Sequence, residues 1–266
     1  MNHKYLNNLL VGKSAEIYWK LDSVFENIAI KEFNAMKARI PSIMPAEALE
    51  ELGYFDNFKS HLTKCIPHIK LPANNNEKLT SNNEGYYLSP AGCLPIYPEI
   101  SKYSENVPFC ITALMSAFRY ESGVWGRTRS WEFHCREMIF IGDRSYITNS
   151  FNTVRSIINE FAQKNNIITE VKNADDSFIC DKENNRRSKI LKKMQQNMGL
   201  KNEISWKDPI GNDVAIASFN FHNHHFSKKY SWDNNGKIVS GCIGFGLERW
   251  LCAWLESNPQ SIEVSV

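Results

Sequence analysis

With 266 residues, 42% of them hydrophobic and 23% charged, the chain is long enough to bury a sizeable core and has the proportions of a globular protein. A formal charge of +2 argues against broad nonspecific nucleic-acid binding, which needs a strong basic footprint. No apolar run approaches a membrane span and MNHKYLNNLLVGKS lacks a signal-peptide h-region, so no membrane association and a cytoplasmic location are expected. Seven scattered cysteines, odd in number and without a CxxC pair, exclude a disulfide framework.

In chain order, apolar residues at Ile17, Leu21, Val24, Phe25, Ile28, Phe33 and Met36 predict a helix over 15–37. A short extended piece, ARIPSIMP, closes on Pro41 and Pro45. Residues 46–64 read as helical with an interruption at Gly53, and 73–85 read as an exposed loop. In YYLSPAGCLPIYPEI, prolines and a glycine hold Cys93 in a constrained setting. VPFCITALMSAFRYE reads as a buried segment that ends as a strand. A helix follows over 151–161, then a strand over 167–171. Residues 182–201 read as a basic helix that includes Arg186 and Arg187, and VAIASFNF at 214–221 alternates as a strand. KIVSGCIGFGLERWLCAWLE runs from a strand through glycines into a final helix. Hairpin-linked strands mixed with helices predict an α+β fold with an antiparallel sheet, in one domain over 1–266.

The stretch from Phe118 to Asp143, FRYESGVWGRTRSWEFHCREMIFIGD, carries the strongest chemical signal. Residues two apart on a strand share a face, so Arg119 and Glu121 point one way. On the return limb Arg129, Trp131, Phe133, Cys135 and Glu137 would share one face too. Folded as an antiparallel ribbon, the stretch presents guanidinium forks for phosphate, a flat ring for a base, and carboxylates for an amine. That set suits a nucleoside triphosphate. In GCIGFGLERW, Gly244 and Gly246 permit a close backbone approach, and Arg249 follows on the first turn of a helix, an arrangement suited to phosphate. Two other leads carry little. GKS at 12–14 is not a P-loop, because Asn7 stands where the first glycine belongs. The HNHHF run at 222–226 is expected to be surface or hydrogen-bonded, since neighbouring strand positions point to opposite faces.

Together these stretches resemble the catalytic core of class II aminoacyl-tRNA synthetases. FRYE, a loop and RSWEF look like their motif 2, GFGLERW like motif 3, and helix 15–37 with the strand to Pro41 or Pro45 like motif 1, the usual dimer element. Within that superfamily the chain resembles the amino acid–[carrier protein] ligases, themselves similar to archaeal zinc-dependent seryl-tRNA synthetases. SPAGCLPIYP, NADDSF, ASFNFH…HF and the cysteine before motif 3 extend the resemblance to roughly residues 20–256.

The resemblance implies a class II antiparallel sheet flanked by helices, in a homodimer, with ATP, magnesium and zinc. Arg119 would grip the α-phosphate and the amino acid carboxylate, and Glu121 would accept the adenine amino group. Phe133 would stack on adenine, while Arg129 and Arg249 would hold the distal phosphates. Zinc would be held by Cys93, Glu137 and Cys242, leaving a fourth tetrahedral position for the substrate amine, with Cys135 as the rival ligand. Ser218 and Asn220 would join Arg119 and Glu137 in holding the substrate. The implied reaction converts a small amino acid, glycine or alanine, to its adenylate and transfers it to the phosphopantetheine thiol of an acyl or peptidyl carrier protein. Two departures stand out. Ala215 occupies the place of a magnesium-binding glutamate in seryl-type enzymes, and Ser177 that of a proline common in the carrier-protein ligases. The catalytic fold uses nearly the whole chain, so no tRNA-binding domain and no tRNA partner are expected. The basic segment with Arg186 and Arg187 could steer an acidic carrier protein. A non-catalytic paralogue that senses an amino acid or nucleotide, and a truncated aminoacyl-tRNA synthetase, remain as alternatives.

Overall fold

A computed structural model describes residues 9–57, 61–66, 84–120, 126, 128–174, 200–232 and 235–264. Helix α1 (Lys13–Phe33) forms because Ile17, Leu21, Val24, Phe25 and Ile28 recur on one face, and all five are buried. It stops at Asn34, whose left-handed backbone (φ 47°) sends its N–H back to the Ile30 carbonyl at 3.0 Å. Then come β1 (Met36–Lys37), β2 (Ile43–Pro45), α2 (Ala46–Glu51), α3 (Tyr54–Asn57), β3 (Lys64–Cys65) and β4 (Tyr86–Leu88). A 3-10 stretch, Leu94–Asn106, leads into β5 (Phe109–Phe118) and β6 (Glu132–Gly142). The chain continues through α4 (Arg144–Lys164), β7 (Thr169–Asn173), β8 (Lys201–Lys207), β9 (Asp213–Asn223), α5 (His225–Lys229), β10 (Val239–Gly246) and α6 (Leu247–Ser257).

Seven strands form one sheet in the order β1-β5-β6-β10-β9-β8-β7, antiparallel except for the β1–β5 pair. A second sheet has the order β2-β4-β3. The period of two along β6 divides the molecule into layers. Its even residues, including Arg136, Met138 and Phe140, face α1, α4 and α6. Its odd residues, Ile139 and Ile141, pack with the small sheet, the 3-10 stretch and α5. On the helical side Phe25 stacks on Phe245 at 4.4 Å. Asp143 caps α4 by accepting the Tyr146 N–H at 2.7 Å. Among the described residues no helix is long and apolar enough to cross a membrane.

The α+β antiparallel architecture agrees with the sequence reading, and several element boundaries move. The first helix ends at Phe33, because Met36 and Lys37 pair with β5 instead. The expected helix over 46–64 is two short helices and an edge strand. The helix expected over 151–161 begins at Arg144, where the Asp143 cap starts it. Lys201, read as the end of a basic helix, opens β8; residues 175–199, with Arg186, Arg187 and most of NADDSF, lie outside the described residues. His224 and His225 do not continue β9, since Asn223 turns to φ 55° and His225 starts α5.

The helical and sheet layers are joined by one buried ion cluster. Arg136 grips Asp22 through Nε and Nη2 at 2.8 and 2.7 Å, and reaches Glu26 at 3.2 Å. Asp22 is 7% and Arg136 5% exposed, so removing either partner leaves a desolvated charge. Arg136→Ala is predicted to lower stability by about 3–5 kcal/mol in urea unfolding, whereas the apolar pair Asp22→Leu with Arg136→Met recovers most of that loss.

Candidate active site

The sheet face turned away from the helices floors a cleft of about 1100 Å³. Register places its residues in rows. Glu137, Gly244, Ser218 and Glu203 lie side by side across β6, β10, β9 and β8. Ile139, Cys242, Asn220 and Lys201 make the next row. Cys93 enters from the SPAGC turn, which β5 holds in place: Phe118 N–H donates to the Ser89 carbonyl at 2.9 Å and Arg119 Nε to the Pro90 carbonyl at 2.7 Å. Residues from β6, β8, β9, β10 and the SPAGC turn thereby converge.

Cys93, Glu137 and Cys242 are buried, and their ligand atoms lie within 4.8 Å of one another. Burial pushes the Glu137 carboxyl well above the usual range, and the Cys93 charge adds to this while Arg119 opposes it. The Cys242 thiol hydrogen-bonds Cys93, which draws the Cys93 thiol down and drives Cys242 well up. Glu137 Oε2 is buried without a hydrogen-bond partner. Such an oxygen costs about 1–3 kcal/mol unless something satisfies it. Two sulfurs and one carboxylate oxygen at this spacing are a donor set suited to zinc, with one tetrahedral position left open. Cys135, on the same face, stands outside the cluster, and burial pushes its thiol up.

The nucleotide-type residues share the cleft. Arg119, Arg129, Phe133 and Arg249 all line it, with the Arg119 guanidinium 5.2 Å from the Phe133 ring centroid. Arg249 is aimed by two backbone carbonyls, Thr128 O at 2.8 Å and Ala215 O at 2.9 Å. Glu248 accepts from the His134 N–H at 3.0 Å and its Nδ1 at 2.8 Å, which ties α6 to β6. Ser218 and Asn220 line the cleft as well, Asn220 Nδ2 standing 3.3 Å from Ser218 Oγ and 3.6 Å from Cys242 Sγ. Glu121 lies outside the described residues.

Strand parity misplaces one residue. Trp131 was expected on the nucleotide face, but β6 starts only at Glu132; the indole instead donates to Thr63 Oγ1 at 2.8 Å and packs edge-on against Tyr120. Arg129 precedes the strand too, in an isolated bridge with Gly126, and still reaches the cleft. Ala215 and Ser218 both line the cleft although three residues apart, an odd spacing that a regular strand would send to opposite faces. A bulge explains this: Ile204 pairs with Ala217 and Ser205 with Ala215, so Ile216 is the extra residue. Sequence reasoning passed over Tyr97 and Glu203, read Lys201 only as the end of a basic helix, and expected His222 to be surface or hydrogen-bonded, which its contacts to Tyr97, Ser240 and Cys242 bear out. His222 had a readable signal, since it continues the period-two series of Ser218 and Asn220.

Gly244 leaves the space in which the Glu137 carboxylate lies. A Cβ there would lie 2.9 Å from Glu137 Oε1, while one at Gly246 would meet nothing closer than 3.7 Å. Gly244→Ala is predicted to keep the fold but displace the Glu137 carboxylate, so that, if the cluster takes up zinc, chelator competition reads an affinity at least about 10-fold weaker; Gly246→Ala leaves it unchanged.

The Type-2 serine–tRNA ligase of Methanocaldococcus jannaschii is 23% identical over 90% of this chain and 50% of its own length. Amino acid–[acyl-carrier-protein] ligase 2 of Bradyrhizobium diazoefficiens is 24% identical over 91% of this chain and 77% of its own. The chain thus spans about half the length of the serine–tRNA ligases it matches. Among solved structures, M. kandleri SerRS in complex with A. aeolicus tRNASec superposes with a TM-score of 0.74 at 18% identity, covering 95% of this chain and 54% of that one. Residues 76–258 match the tRNA synthetase class II core domain (G, H, P, S and T), and the chain belongs to that family.

Proposed function

We propose that the chain activates a small amino acid, glycine or alanine, with ATP and passes it to the phosphopantetheine thiol of an acyl or peptidyl carrier protein. The observation that carries this reading is the position of the Cys93–Glu137–Cys242 cluster in one cleft with Arg119, Phe133 and Arg249. A free-amine site beside a phosphate-and-base site is what amino acid activation needs. The match to the carrier-protein ligase of Bradyrhizobium over 77% of that protein's length supports the acceptor.

In this reading Cys93, Glu137 and Cys242 would hold zinc, which would supply a Lewis acid for the substrate amine. Ser218 and Asn220 position the substrate on the β9 side, and Phe133 supports the adenine, whose amino group Glu121 accepts. Arg119 orients the amino acid carboxylate toward the α-phosphorus, and Arg129 and Arg249 hold the distal phosphates. The carboxylate oxygen then forms a bond to α-phosphorus as the bond to the bridging oxygen breaks, and pyrophosphate leaves. Arginine side chains already fixed by carbonyls stabilise the developing charge with little reorganisation. In the second step the carrier thiolate attacks the acyl carbon and AMP departs. Ala215 contributes only a carbonyl, which Arg249 occupies, so magnesium would be held by the ATP phosphates and water, or adenylation is impaired; Glu203 is a carboxylate on the same wall. The chain works as a single catalytic domain, dimeric in solution and cytoplasmic.

Zinc-replete protein is predicted to exchange pyrophosphate into ATP with glycine or alanine, and Arg119→Ala to lower the exchange about 100-fold or more. Cys93→Ser and Cys242→Ser should lose both zinc and exchange. No exchange with any amino acid would favour the sensing paralogue, for which Ala215 is the argument, and transfer to tRNA in place of the carrier would favour a tRNA ligase. Charge reversal of Arg186 and Arg187 should weaken transfer to the carrier while sparing exchange; equal loss of both steps would exclude a docking role.

A further inference from the structure

His222 sits at an irregularity in the sheet. β10 pairs Ser240 with Asn223 and Gly241 with Phe221, so His222 is the extra residue of a bulge. Bulges re-aim side chains beside functional sites. This one brings His222 Nε2 to 3.6 Å from Cys242 Sγ, while Nδ1 stands 3.2 Å from Ser240 Oγ and 3.3 Å from the Tyr97 hydroxyl. Tyr97 thus meets the far side of the imidazole, its ring edge-on to that of His222 at 5.4 Å. Its ring is fully buried, stacked on Phe226 at 3.7 Å, and Trp232 Nε1 donates to its carbonyl at 3.2 Å, so the hydroxyl has little freedom to move.

A cysteine sulfur that binds a metal only accepts, so in a metal site the His222 Nε2–H donates to Cys242, as Asn220 Nδ2 also does at 3.6 Å. On the other side of the ring Nδ1 faces two hydroxyls, those of Ser240 and Tyr97, which fix the imidazole.

We propose that His222 is a positioning residue that donates a hydrogen bond to the Cys242 sulfur and holds it ready for the metal, and that Tyr97 acts through it by fixing the imidazole from behind. This rests on the zinc reading of the Cys93–Glu137–Cys242 cluster. Neither residue is a ligand in it. His222 orients the sulfur and sets the electron density it offers, as partners of metal ligands commonly do.

The test compares zinc affinity, by chelator competition, and the thiolate-to-metal absorption of the cobalt-substituted protein. His222→Ala is expected to lose about 10–100-fold in zinc affinity and to shift the cobalt band, and His222→Gln, which can place an amide N–H near the Nε2 position, to recover most of both. Tyr97→Phe keeps the ring and its stacking and is expected to weaken zinc in the same direction; it decides the matter if His222→Ala does not fold. Unfolding midpoints of the metal-free variants separate a merely structural effect, which would move them and leave the cobalt band in place. Wild-type affinity and an unchanged cobalt band in both His222→Ala and Tyr97→Phe would overturn the inference alone. A wild type that binds no zinc would overturn the zinc reading and this inference with it.

Discussion

Two thiols and a carboxyl group lie within 4.8 Å of one another on the cleft floor, none more than 8% exposed. Burial and the neighbouring Cys93 charge push the Glu137 carboxyl well above its usual range, and its Oε2 is buried without a hydrogen-bond partner. A cation removes both penalties at once. The surrounding architecture reads as the means of bringing these groups together and keeping them there: Gly244 forgoes a side chain so that Glu137 can lie across β10, and the SPAGC turn is tied to the end of β5 to deliver Cys93.

Strand β6 is the axis of this arrangement, because its alternation assigns opposite duties to neighbouring residues. Phe133, Cys135 and Glu137 face the cleft; His134 and Arg136 face away and anchor the strand to α6 and α1 through Glu248, Asp22 and Glu26. A shift of one residue in register would exchange the two sets, putting the Arg136 charge in the cleft and Glu137 in the apolar core. The buried Arg136–Asp22 pair therefore fixes the site from behind, by making the wrong register expensive.

Most of this was legible in the sequence for a physical reason. Phe133, Glu137 and Arg249 lie on or beside regular elements, where a period of two or a helix start converts position into direction. The α+β antiparallel class and the final strand-to-helix turn follow from the same periodicities. Legibility failed where regularity failed. Trp131 lies one residue before β6 begins, so parity had no hold on it, and the bulge at Ile216 brings Ala215 onto a face that simple counting denies it. His222 was set aside with its histidine neighbours because a run of adjacent histidines on a strand diverges; the φ 55° turn at Asn223 separates it from them, while it keeps the face of Ser218 and Asn220 and so meets Cys242. Burial of Tyr97 and its hydroxyl's reach to His222 depend on packing between distant segments, which no local pattern encodes.

The central claim is that the buried trio is a metal site with one position open. X-ray absorption at the zinc edge of the purified protein tests it most directly. The account predicts about one zinc per chain, two sulfurs at about 2.3 Å and lighter oxygen or nitrogen ligands at about 2.0–2.2 Å completing four-coordination. A site with three or four sulfurs, or protein that retains no zinc after purification in its presence, would contradict it.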